Sequence, residues 1–314
     1  MPSPASGSPA DYVYAAIEIV QRHALVRDTV DWPRVQQEAL CRCSQASTIP
    51  ETYPTIEWLL AELGDTHSFF SPPSRGTRAI ARGAYTDEVQ FPTGNIGDDS
   101  VATINVPSFR GSPAAIARYA DELRRLVETL LAARAVGWLI DLTDNPGGNM
   151  IPMIAGLSPL LGPGRVGAFE AIDGTRTDWV LDAAGGLSIG DEDALPGSKS
   201  QQLVPSSARV ALIIGPRTAS SGEAVAVSFA GRPNTRRFGQ PTKGLVTSNE
   251  TFDLVDGATL IVTTARFVDR TGLTYRAPID PDIVVVAAGS AAHETAARWV
   301  LEDTVTSVSE PSGK

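Results

Sequence analysis

Apolar side chains near the start of the chain recur every three or four residues. Val13, Ala16, Ile17, Val20 and Ala24 share one face if residues 11–27 are helical. Asp31 followed by Pro33 marks a second helix start, because proline is tolerated in a first turn, and the pattern carries this helix to Cys43. A third helix is predicted from Tyr53 to Leu63, with Gly64 as its C-cap. The first part of the chain therefore reads as helical up to Asp65-Thr66-His67.

Past residue 100 the pattern changes. Val101 to Val106 and Gly137 to Leu142 are short apolar runs suited to buried parallel strands. Between them, Ser112 to Arg134 has helical period, with Ser112 at the cap and Pro113 in the first turn. Met150 to Leu161 reads as one helix. Residues 165–190 read as a hairpin region, and 183–207, rich in Gly, Ser and Asp, as a surface loop. Then come a strand at Val210–Ile214, a helix from Ser220, a strand near Arg237, a strand pair around Glu250–Phe267 and a short strand at Ile283–Val286. A helix at Ala291–Leu301 closes the fold, and the tail from Ser307 is expected to be disordered. Alternating strands and helices imply an α/β core, mainly parallel, with crossover connections. The expected division is a helical region over 1–75, a catalytic core over 76–305 and a tail over 306–314.

Composition narrows the function. The 314 residues suffice for one or two domains, and 42% hydrophobic with 20% charged content is ordinary for a globular protein. A net charge of −10 argues against nucleic acid or an anionic membrane surface as the main partner. The opening residues lack a basic start followed by an apolar run, and no segment has the length of a membrane span, so a cytoplasmic location is expected. Cys41 and Cys43 are too close for an unstrained disulfide and have no cluster of further ligands, so both are expected to pack as small apolar groups. No cofactor or metal is implied.

The chemistry concentrates in two turns. Thr218-Ala219-Ser220-Ser221-Gly222-Glu223 follows an apolar strand and opens a helix. A serine hydroxyl there faces unpaired amides and the positive end of the helix dipole, which suits acyl transfer. The N–H of Ser221 would point at the same oxyanion. A second donor is expected from Asn145-Pro146-Gly147-Gly148, where glycine lets backbone approach a ligand closely, and Gly147 is preferred over Gly148. Both turns follow predicted parallel strands, so both belong at the carboxyl edge of the sheet. His23 and His293 sit in helices without a partner motif and read as structural or surface residues. Asp141 and Asp144 lack the further ligands a metal needs, and Asp282 reads as fixing a turn.

These pieces, with Val30-Asp31-Trp32, Leu63-Gly64-Asp65-Thr66-His67-Ser68, Leu139-Ile140-Asp141-Leu142, Gly239-Gln240-Pro241-Thr242-Lys243-Gly244 and Pro281-Asp282-Ile283, resemble the serine peptidase family of the tail-specific, carboxy-terminal processing proteases and the tricorn core. The resemblance runs from about residue 10 to residue 302 and implies a ClpP/crotonase-like core. One branch of that family uses a Ser/Lys dyad, with the lysine just after the second glycine of the motif at 239–244. That position here is Leu245, and Lys243 lies on the other side of the glycine. Lys199 and Lys314 do not match either. The tricorn-like branch takes its base from the histidine of an Asp-x-His motif, which His67 matches, with Thr66 in place of the hydroxyl residue that orients the network.

Two departures stand out. The branch places a glutamate shortly before the Pro-Asp motif, but the stretch here is Thr274-Tyr275-Arg276-Ala277-Pro278-Ile279. Asp65 and Asp269 are the alternative carboxylates. The span from His67 to Val101 also leaves no room for the peptide-binding PDZ domain that many relatives carry. The resemblance thus implies a serine peptidase acting through an acyl-enzyme on Ser220, with His67 as general base and a peptide as substrate. The alternatives are a repurposed enzyme cleaving or cyclising a small ester, lactone or amide, and a non-catalytic ligand-binding protein. A rival α/β-hydrolase reading of Ser220 would need a histidine after the serine, namely His293.

Overall fold

A computed structural model describes residues 7–73, 89–197, 201–286 and 290–302. The expected tail at 306–314, Lys199, Lys314 and the expected boundary at 75/76 lie outside these. The chain divides into two compact units, one of Met1–Tyr85, Glu170–Thr175 and Thr247–Arg266, the other of Thr86–Phe169, Arg176–Val246 and Phe267–Lys314.

The first unit opens with helix α1 (Pro9–His23), capped by Ser8 and Asp11, each side chain taking the other's amide. It stops short of residue 27 because Leu25 leaves the helical ladder and donates its N–H to Thr263 O at 2.8 Å. Helix α2 (Trp32–Arg42) starts at Asp31, whose carboxylate accepts the Arg34 amide. Helix α3 (Tyr53–Ala61) is followed by Gly64, at φ +66°, and strand β1 (Phe69–Ser71). Cys43 is buried and Cys41 exposed, correcting the expectation for the latter. Two residues along a helix are rotated by about 200°, so only one of them faces the core.

The second unit holds a six-stranded sheet. Strand β2 (Thr93–Ile96), which the sequence reading did not anticipate, pairs antiparallel with β3 (Val101–Asn105). Helix α4 (Pro113–Ala132) crosses over to β4 (Gly137–Asp141), parallel to β3. Ser112 occupies the cap position of α4, but its side chain makes no capping hydrogen bond. The helix expected over Met150–Leu161 is two, α5 (Met150–Gly156) and α6 (Ser158–Leu161). Pro159 has no N–H to continue the ladder and its ring crowds the preceding turn.

Strands β5 (Gly164–Ala171), β6 (Arg176–Leu181), β7 (Leu187–Ile189) and β8 (Glu192–Leu195) are successive neighbours in a second sheet. The stretch 183–207 is thus not simply a loop: Leu187 and Leu195 are buried on paired strands. The first sheet continues with β9 (Arg209–Ile214), helix α7 (Ser221–Phe229) and β10 (Thr235–Gly239). Strands β11 (Thr247–Asp253) and β12 (Thr259–Asp269) form an antiparallel hairpin. By contacts, β11 and most of β12 belong with the helices of the first unit, although the sequence reading placed them in the core. Leu260 and Val262 of β12 pack there against Val13, Ile17, Ile56 and Leu59. Strand β13 (Ile283–Val284) and helix α8 (Ala291–Leu301) end the second unit.

The first sheet runs β13-β10-β9-β4-β3-β2, parallel apart from β2. Alternate side chains feed opposite layers, as a two-residue period demands. Trp138, Ile140, Val210 and Leu212 join the layer of α4, α5 and α7, whereas Leu139, Ala211 and Ile213 pack with Trp299 and Val300 of α8. Asp282 clasps Arg237 of β10 through its amide at 2.7 Å and its guanidinium at 2.9 Å, which holds β13 at the sheet edge.

Candidate active site

Ser220 stands where β9 breaks into α7. Its backbone has φ +52° and ψ −118°, a conformation that costs a residue with a β-carbon on the order of 1–3 kcal/mol. The surroundings over-determine it. Thr218, buried, donates its hydroxyl to Leu142 O at 2.8 Å and accepts the Gly215 amide at 3.0 Å, which locks the ends of β4 and β9 together. Ala219 N donates to Asn145 O at 3.0 Å. The Ser220 hydroxyl is presented from a partly exposed residue, at the N-terminus of a helix whose own nine residues are all buried.

The glycine turn lies against it. A β-carbon on Gly147 would fall 2.9 Å from Ser220 Cβ and 3.1 Å from Ser221 N. Asn145 is fully buried and accepts the Gly147 N–H at 3.0 Å, so that amide is spent inside the turn. The Gly148 N–H has no acceptor among the described residues, while Gly148 O accepts the Ser221 hydroxyl at 2.6 Å. Ser220, Ser221, Gly147 and Gly148 are therefore neighbours, and of the two glycine amides it is that of Gly148 which is left available. Lys243 is exposed and joins this region through its backbone, donating its N–H to Thr218 O.

Glu223 has a role that the sequence motifs do not assign. It is fully buried, takes the Ser220 N–H on Oε2 at 2.8 Å, and takes the Thr242 hydroxyl and the Gly244 N–H on Oε1. Burial pushes its carboxyl above the ordinary range against the opposing effect of these donors. The sequence signal was its place three residues after a capping serine.

His67 belongs to the first unit. Its Nδ1 lies 2.7 Å from Thr247 Oγ1 on β11, and its carbonyl accepts the Asn249 side-chain amide at 3.0 Å. Asp65 turns its carboxylate to the backbone amides of His67 and Ser68, at 2.9 and 2.6 Å, and to the Ser68 hydroxyl. Thr66 is exposed, and the hydroxyl on the His67 ring is that of Thr247. Asp269, in the second unit, binds the amides of Thr271 and Leu273 and the hydroxyl of Tyr275. Burial, with the Asp269 charge beside it, pushes the Tyr275 phenol up to about 12.

His293 gives its Nε2 to Asp141 Oδ2 at 2.9 Å, while Asp141 Oδ1 accepts the amide and hydroxyl of Thr143. It is therefore engaged by the strand that leads into the glycine turn, rather than offered as the base of an α/β-hydrolase. Its hydrogen bond to Asp141 raises the His293 pKa above the usual 6.5. A raised histidine adds stability in full below its unfolded value and loses it as pH climbs through the folded one. His293→Ala should thus cost about 1–2 kcal/mol near pH 6 and less at pH 9, read by urea unfolding at both. Equal losses at the two pH values would refute the pairing.

Asp144 pairs with Arg217 at the surface. Among the described residues no group of three or more His, Cys, Asp or Glu side chains could hold a metal, and no helix is long and apolar enough to cross a membrane.

Comparison with known proteins places this geometry. The model of Peptidase family S41 matches residues 100–285, which include Ser220 and the glycine turn but not His67. The chain is 30% identical over 290 residues to the nisin-resistance protein of Lactococcus lactis subsp. lactis, covering 91% of this chain and 86% of that one. Among solved structures, a lipoprotein from Streptococcus agalactiae aligns with a TM-score of 0.79 at 26% identity, over 96% of this chain and 99% of the other. The photosystem II D1 C-terminal processing protease shares the fold, with a TM-score of 0.62 at 14% identity over 89% and 94% of the two chains. A strained serine at a strand-to-helix turn, a glycine turn against it and a family match spanning both lead to one assignment: the chain belongs to peptidase family S41 and is a serine peptidase.

Proposed function

We propose that the protein cleaves peptides through an acyl-enzyme on Ser220, with His67 as general base. The observation that carries this reading is the strained backbone of Ser220 at the head of α7, held by contacts from both neighbouring turns. Ser220 Oγ attacks the scissile carbonyl as its proton passes to the His67 imidazole. The tetrahedral oxyanion collapses, the amine leaves with that proton, and water repeats the sequence to release the acid. The oxyanion donors are the N–H groups of Ser221 and Gly148, since the Gly147 N–H is engaged by Asn145. Thr247 fills the orienting role expected of Thr66. If it accepts the Nδ1 proton, the lone pair is left on Nε2, the tautomer a base requires.

The similarity to a nisin-resistance protein supports nisin and related peptides as first substrates to try. A cytoplasmic location draws no support from the similarity to a lipoprotein, and the catalytic reading does not depend on it. Mass-spectrometric profiling of a mixed peptide library that contains nisin tests the reading. Cleavage by the wild type is expected, lowered about 10³-fold in His67→Ala. Thr247→Val should lose about tenfold, the equivalent of one neutral hydrogen bond. Full activity in His67→Ala would remove histidine from the mechanism. Cleavage of small esters with every peptide untouched would move the substrate to a small acyl compound.

A further inference from the structure

Three hydrogen-bond donors converge on the buried carboxylate of Glu223: the Ser220 amide, the Thr242 hydroxyl and the Gly244 amide. A glutamate three residues into a helix often reaches back to the capping residue, and on a surface helix nothing more need be read into it. Here the group is fully buried, so it is held away from water to make these bonds. Its two oxygens also serve two separate pieces of chain. Oε2 holds the residue with the strained backbone. Oε1 holds the turn after β10, whose Thr242 in turn accepts the Ile279 N–H at 2.8 Å and whose Lys243 amide returns to Thr218 O. Helix capping alone does not need the second set.

We propose that Glu223 is a positioning residue that fixes the Ser220 backbone against the Thr242–Gly244 turn and so aims the nucleophile. The proposal rests on the reading of Ser220 as that nucleophile. The carboxylate does so because it offers acceptors on both sides. A glutamine has the same shape but one acceptor oxygen. Its NH₂ must then face the Ser220 N–H on one side or the Gly244 N–H on the other, and one link is lost.

The test is Glu223→Gln compared with wild type in three measurements. The first is hydrogen exchange at the Ser220 amide. The second is the rate at which a fluorophosphonate labels Ser220. The third is kcat and KM on a cleavable peptide. Expected are faster exchange at Ser220, labelling slowed by about 10²-fold, and kcat lowered by a similar factor with KM within about twofold, as small misplacements of reacting groups produce. Thr242→Val removes only the far end of the link and should slow labelling in the same direction, which serves if Glu223→Gln does not fold. Wild-type exchange and wild-type labelling in a folded Glu223→Gln protein overturn the proposal. If the wild type is not labelled at Ser220 at all, the nucleophile reading fails, and Ser220 exchange alone still judges whether Glu223 holds that backbone.

Discussion

Ser220→Ala should fold as the wild type does and hydrolyse peptides at least about 10⁴-fold more slowly, because residues of a catalytic unit are all required for its rate. The hydroxyl contributes little to the fold. The backbone links of the turn run through Ala219 N, Ser220 N and Thr218, none of which uses the hydroxyl. The strain is a separate quantity. Alanine keeps the β-carbon and therefore the cost of φ +52°, whereas glycine removes it. Ser220→Gly should accordingly be more stable than Ser220→Ala by about 1 kcal/mol and equally inactive. Denaturant unfolding of the two variants beside peptide turnover separates these effects. Retained turnover in Ser220→Ala would end the assignment of the nucleophile. Equal stability of the two would show that the turn is not strained.

Gly148→Ala should be the most damaging single methyl group near the site. Gly148 has φ +107°, and a β-carbon there would lie 2.0 Å from Phe109 O, which already accepts the Asn149 N–H at 2.8 Å. The new methyl has nowhere to go without moving backbone. Strain and overpacking together should cost about 3 kcal/mol. The same shift would carry away the Gly148 N–H, and loss of one oxyanion donor costs about 10²–10³-fold in kcat. Gly147→Ala should behave differently. Its methyl would press on Ser220 Cβ at 2.9 Å and its amide is already taken by Asn145, so activity should suffer through the nucleophile itself. A Gly148→Ala protein with wild-type stability and turnover would show that this turn is free to rearrange.

Local pattern was enough for most elements. The three-and-four spacing of Val13, Ile17 and Val20, the Asp31-Pro33 start and the apolar run Val210–Ile214 are local signals, each consistent with its neighbours. The turns of the site were legible for a related reason. Ser220 and Gly147-Gly148 sit at strand ends, and the order of strands and helices puts successive parallel strand ends on one edge. Strands β7 and β8 escaped because their few apolar positions lie among turn residues, and only pairing reveals them. The break at Leu157 could have been read from Pro159.

The class of fold and the family were legible along the chain, because each rests on short stretches whose chemistry is complete locally, and the same stretches mark Ser220 as the candidate nucleophile. Long-range side-chain partners were not legible there. Thr247 reaches the His67 ring across 180 residues, and Glu223 reaches Thr242 from another strand connection. The expected preference for Gly147 over Gly148 could not anticipate that Asn145 takes the Gly147 N–H. A hydrogen bond between distant segments leaves no periodic trace along the chain. Its partners become visible only when folding brings a donor within about 3 Å of an acceptor.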